Sequence, residues 1–167
     1  MSCSSSSSSF RPAHAFLSGL LVGAVVLGLG GCANTANPAV EREPAWDAPR
    51  TRALAERACF DCHSHQTRWP WYASVPLVGW WLQDHVDEGR AHLNFSTWSK
   101  PGHEADEAAE TIEEGEMPLA SYLWLHGEAK LGADDTAALV AGLKATFAKD
   151  PPRRAAGAAG TATHDDD

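Results

Sequence analysis

The chain has 167 residues, a hydrophobic fraction of 44% and a formal net charge of −9 at pH 7. That length allows one folded domain with appended segments, and the acidity argues against nucleic acid or a polybasic membrane patch as the chain's business. No nucleophilic triad or phosphate-cradling glycine loop stands out, and the many carboxylates read as solvated faces, so the chain is expected not to be an enzyme.

Residues 1–31 open with a serine run, carry Arg11 as their only charge, and continue as Leu, Val, Ala and Gly over 16–29. That apolar run is short and glycine-rich for a membrane span and matches the core of an export signal. It ends in Leu29-Gly30-Gly31-Cys32, which resembles the lipobox of bacterial lipoproteins. The resemblance implies cleavage before Cys32, acylation of that cysteine, and a place in the bacterial cell envelope facing the periplasm. Two acyl chains hold a protein at a membrane without a span. Ala33 carries no acidic retention cue, which by the same resemblance leans toward the outer membrane. The plain alternative is an ordinary signal peptide cut nearby. Residues 32–47, interrupted by Pro44, read as a lipidated cysteine and a flexible tether.

The folded part is expected over 48–149. A helix over 50–58, with Leu54 and Ala58 on one face, delivers the chain into Cys59-Phe60-Asp61-Cys62-His63. This is C-x-x-C-H, the attachment pattern of a c-type haem. Thiols one helical turn apart can each form a thioether to one vinyl group of the same porphyrin. The imidazole that follows is then placed beneath the iron. Other readings of these residues are a disulfide or thioredoxin-like redox pair, half of a zinc site completed by His63 or His65, and chance. No βαβ pattern surrounds the pair and no second C-x-x-C follows. The cysteine count agrees with attachment: Cys3 leaves with the leader, Cys32 takes lipid, and Cys59 and Cys62 are left for one covalent haem.

After the motif comes an aromatic, proline-broken loop with Trp69, Trp71 and Tyr72, rings that need a core or a porphyrin to pack against. A helix over 78–86 carries Val78, Trp81, Leu82 and Val86 on one stripe, with Gly89 placed to close it. Residues 90–100 read as irregular; Arg90, Asn94, Trp98 and Lys100 could reach haem propionates or serve as ordinary structural and surface groups. Ala105, Ala108, Ala109 and Ile112 then recur at helical spacing, with seven acids between Glu104 and Glu116 on the other faces. Gly115 ends that helix before a Met117-Pro118 loop, and 122–126 is a short apolar segment. A final helix over 133–149 buries Leu139, Val140, Leu143 and Phe147 and is stopped by Pro151 and Pro152. Residues 150–167 are small, polar and expected to be disordered.

What occupies the far side of the iron decides the function. Met117 is the only methionine beyond the leader, and a thioether there would raise the reduction potential and close the iron to small ligands. The other use of such a residue is to fill a core gap. His65, His85, His92, His103 and His126 are rival ligands. His63 should tie its second ring nitrogen to a carbonyl, sought near Pro70 or Pro76.

Taken together, the ordered series resembles the haem-binding domain family of small exported bacterial proteins, similar in layout to monohaem class I cytochromes c. Its carriers are Cys59-Phe60-Asp61-Cys62-His63-Ser64, Trp69-Pro70-Trp71-Tyr72, Pro76, His85-Val86, Gly89-Arg90, Leu93-Asn94-Phe95-Ser96, Trp98, Gly115-Glu116-Met117-Pro118, Tyr122 and His126. The resemblance implies an all-α, cytochrome c-like domain whose first and last helices cross beside the haem. Cys59 and Cys62 would attach it, His63 would be proximal and Met117 distal. A family named for its cofactor does not name a reaction. The expected function is a membrane-anchored periplasmic electron-transfer cytochrome serving an unidentified redox partner protein. Alternatives are a haem-based small-ligand sensor or binding module, or an accessory subunit of a larger redox complex.

Overall fold

The computed structural model describes residues 33–101 and 103–153. The expected export leader, Cys32 and most of the C-terminal tail lie outside them. Among the described residues the fold is all α, built as α1 Pro49–Ala58, α2 Phe60–His63, α3 Val78–His92, α4 Ala105–Glu113, α5 Ala120–Leu123 and α6 Ala133–Lys149. No described helix is long and apolar enough to cross a membrane.

The local chemistry of these elements is conventional. Pro49 opens α1, where its missing N–H costs nothing. Asp134 and Asp135 in the first turn of α6 and Lys149 in its last turn complement the helix dipole. Leu139, Val140, Leu143 and Phe147 are buried, as the spacing predicts, and meet Ala105, Ala109 and Ile112 of α4 in one core. The first and last helices cross where Gly142 faces Thr51: a Cβ on Gly142 would overlap the Thr51 side chain. That glycine lets the two backbones close up beside the functional motif.

The least regular stretch is the most buried. Residues 93–98 form no helix yet are all buried, and Trp98 is fully inaccessible. Phe95 stacks on Phe60 at 5.5 Å, and Trp98 stacks on Phe147 at 5.2 Å and on His103 at 5.3 Å. Core rings and the haem motif are thereby one continuous packing unit, since Phe60 lies inside the motif.

Three expectations need correcting. First, α3 runs through Gly89 to His92, so Gly89 does not close the helix. Second, of the expected α3 stripe only Val86 is buried, and Val78 and Trp81 are exposed; the inward face is instead Gly79, Val86 and Gly89, small enough to let α3 lie close to its neighbours. Third, residues 34–47 are not a free tether. Glu41 and Arg42 donate backbone N–H bonds to Ser96 O, Trp98 N returns one to Arg42 O, and Trp46 packs on Phe95 at 5.2 Å. Ion pairs Arg42–Asp150 and Glu43–Arg52 fasten the same segment.

Candidate functional site

One cavity of about 880 Å³ gathers most of the chemistry-bearing residues. Cys59, Cys62 and His63 line it from the α1–α2 turn, and Met117, Pro118 and Leu119 from the loop after α4. Leu93, Phe95, Ile112, Leu131, Leu139 and Leu143 make much of the remaining wall apolar.

The α1–α2 turn sets the spacing of the sulphurs. Cys62 N and His63 N both donate to Cys59 O, at 3.2 and 2.9 Å, so the two thiols and the imidazole follow one another within a single helical turn. Ser64 Oγ donates to Phe60 O at 2.7 Å, and Phe95 N donates to His63 O at 2.9 Å, fixing the turn from behind. Both cysteines are free of disulfide. Burial pushes the Cys59 thiol up to about 12 and the Cys62 thiol up to about 11, the latter also under the Asp61 charge. Each is therefore an S–H at neutral pH, unlike the low-pKa thiols of redox exchange motifs.

His63 Nδ1 lies 2.8 Å from Gly89 O and 3.1 Å from Leu93 O. Both partners only accept, so Nδ1 carries the hydrogen and the Nε2 lone pair is free for a metal. Burial lowers the pKa of the ring, which keeps it in this neutral form. The carbonyls come from the C-terminal end of α3, where Gly89 O also accepts the Leu93 N–H at 3.0 Å and Leu93 O lies just past the helix, and not from the Pro70–Pro76 loop as expected. That end of a helix is also its negative pole, which makes the ring a better electron donor. Gly89 makes the approach possible: a Cβ there would stand 2.7 Å from Cys62 O and 3.0 Å from Cys62 Cβ.

Sequence reasoning missed the polar brace behind the motif. Asp61, buried between the cysteines, accepts Arg68 N at 2.9 Å, Arg68 Nε at 3.2 Å and Nη2 at 3.1 Å, and Tyr122 OH at 2.7 Å. Desolvation first, and then the Asp61 contact, drive the Tyr122 pKa upward, so the phenol stays protonated and donates. The brace ties α2 to α5 across one edge of the cavity. An acid inside the motif with Arg68 seven positions on was the available clue, but Tyr122 is remote in sequence.

The rival histidines separate clearly. His85 and His92 also line the cavity, His92 paired with Glu104 at 2.6 Å. His126 stacks on Tyr122 at 4.0 Å in an adjoining apolar pocket of about 100 Å³. His65 bonds Ala39 O and Asn94, and His103 lies against Trp98; neither lines the cavity. Nor do the suggested propionate donors. Arg90 holds Ser64 O and Thr67, Asn94 caps Ser96, Trp98 reaches Asp150 O, and Lys100 pairs with Glu41.

The donor set fits an iron porphyrin: a roomy, largely apolar cavity, two neutral thiols one turn apart, an imidazole nitrogen with its lone pair free, and a thioether on a separate loop. A family model described as a haem-binding domain matches residues 25–145. No curated protein and no solved structure matches the chain.

Proposed function

The chain belongs to the haem-binding domain family, and on that premise we propose that it is a c-type cytochrome carrying electrons at the bacterial cell envelope, held to a membrane by a lipid on Cys32. One observation carries the reading: Cys59, Cys62, His63 and Met117 all line the same cavity. When bound, haem supplies a ferric/ferrous couple. Cys59 and Cys62 would hold it through two thioethers, and His63, its ring oriented by the Gly89 and Leu93 carbonyls, would offer Nε2 to the iron. Met117, on the same cavity wall, would offer its thioether to that iron, which would raise the potential and exclude small ligands. The apolar wall keeps water from the centre, and the acidic surface steers a basic redox partner protein toward it. No residue is assigned a catalytic role.

A second reading, a haem-based sensor or small-ligand-binding module, draws on Met117 being 36% exposed on a loop, from which it could be displaced. Two experiments decide. Haem staining after denaturing electrophoresis should follow the chain and vanish in the Cys59→Ala/Cys62→Ala variant; haem that separates from the unaltered chain refutes covalent attachment. Ferrous protein should bind carbon monoxide poorly, whereas rapid, unhindered binding would replace electron transfer with ligand sensing.

A further inference from the structure

Residues 69–83 contain no charged side chain, in a protein whose net charge is −9. They also hold an unusual share of exposed apolar surface: Trp71 is 81% exposed, Leu77 71% and Trp81 51%, with Val75 and Val78 also open. Leu77 adopts a φ of 69°, a left-handed conformation that is costly for a bulky residue and here directs a leucine into solvent. Trp71 meets Tyr72 edge-on at 5.7 Å and Trp81 lies 4.2 Å from His85, yet half or more of each tryptophan stays exposed.

The N-terminal end of the described chain identifies what covers them. Ala33 sits against Gly79 at the start of α3, where a Cβ on Gly79 would come 3.0 Å from the Ala33 Cβ and collide with Ala73 O. Asn34 N then donates to Gln83 Oε1 at 2.7 Å, pinning the segment to the same helix. The peptide bond to Cys32 therefore begins at the corner formed by Ala73 and Gly79, flanked by Trp71, Val75, Leu77 and Val78. A lipid on Cys32 would leave the domain beside this corner.

We propose that this corner, presenting Trp71, Leu77 and Trp81, rests in the interface of the bilayer that the Cys32 lipid enters, so that the domain lies on the membrane in one fixed orientation. The inference rests on the lipid-anchor reading above. Tryptophan is suited to the headgroup level, where its apolar ring and N–H are both satisfied. A charge-free face avoids the repulsion that anionic lipids exert on the rest of this acidic surface. Asp84, Asp87 and Glu88, exposed in the following turns of α3, mark where contact ends. A second copy of the chain or a protein partner would have no reason to meet the domain at its own point of attachment.

The test is hydroxyl-radical footprinting of the full, haem-loaded, lipidated chain on vesicles of phosphatidylethanolamine and phosphatidylglycerol. The reference is a Cys32→Ser form exported through an ordinary signal and kept in solution. Oxidation at Trp71, Leu77 and Trp81 should fall severalfold on vesicles, while Lys144 on α6 reacts equally in both. Equal oxidation of the three residues, with the mass of the N-terminal peptide showing acylated Cys32, overturns the membrane face and leaves the anchor standing. An unacylated Cys32 overturns both. Protection that appears in the soluble form as its concentration rises assigns the face to a second copy and also overturns the proposal.

Discussion

Gly89 bears the tightest constraint at the site. It was legible as a glycine at the end of an apolar pattern, but such a glycine can either stop a helix or admit a neighbour, and only tertiary contact distinguishes the two. Here it admits Cys62. The Gly89→Ala variant should therefore push α3 away from the haem motif, lowering stability by about 1–3 kcal/mol, the range for overpacking a close contact. Denaturant unfolding of the purified protein measures this, and an unchanged midpoint would show that the contact yields without cost. Tyr122→Phe removes one charge-assisted bond to buried Asp61, and about 1.5–3 kcal/mol should be lost in the same measurement. A loss below about 0.5 kcal/mol would mean that Arg68 alone satisfies the carboxylate. The motif residues Cys59, Cys62 and His63 needed no structure to be noticed. The carbonyl partners of His63 did, because they are backbone groups whose identity in sequence carries no signal.

Among the elements, α6 was legible in full: its apolar stripe, acidic first turn and proline stop all agree with one helix. The stripe assigned to α3 was not, since periodicity shows that residues share a face without showing what that face meets. Val78 and Trp81 share one that the core does not use. Residues 32–47 read as a tether because prolines and small residues are what tethers contain, whereas the order of the described part comes from remote partners in residues 96–98 and at Asp150. That order should be acid-sensitive. Arg52 hydrogen bonding holds Glu43 below its ordinary value of 4.5, and Arg42 holds Asp150 below 3.8. Both pKa values are depressed by folding, so their contribution is complete above the ordinary values and is lost as pH falls through the lower folded ones. Amide hydrogen exchange at Glu41, Arg42 and Ala45 should accelerate below about pH 4 ahead of the α6 core. Simultaneous loss of protection in both would show that the segment has no separate electrostatic clasp.

For the whole molecule, the all-α architecture and the order of its longer helices were readable because a proline or glycine stands at one end at least of each apolar repeat: Pro49, Pro76, Gly115 and Pro151. Their convergence was not, because it depends on glycines at crossings, Gly142 against Thr51 and Gly89 against Cys62, whose purpose appears only in three dimensions. That convergence carries Met117, far from His63 along the chain, to the wall of the cavity that His63 lines. The central claim of the proposed function is that these two residues would both ligate the iron of one bound haem. Its most direct test is the absorption spectrum of the haem-loaded protein beside that of Met117→Ala. A low-spin spectrum with a weak far-red sulphur-to-iron band that disappears in the variant is the expected result. A high-spin spectrum, or one that Met117→Ala leaves unchanged, would contradict it.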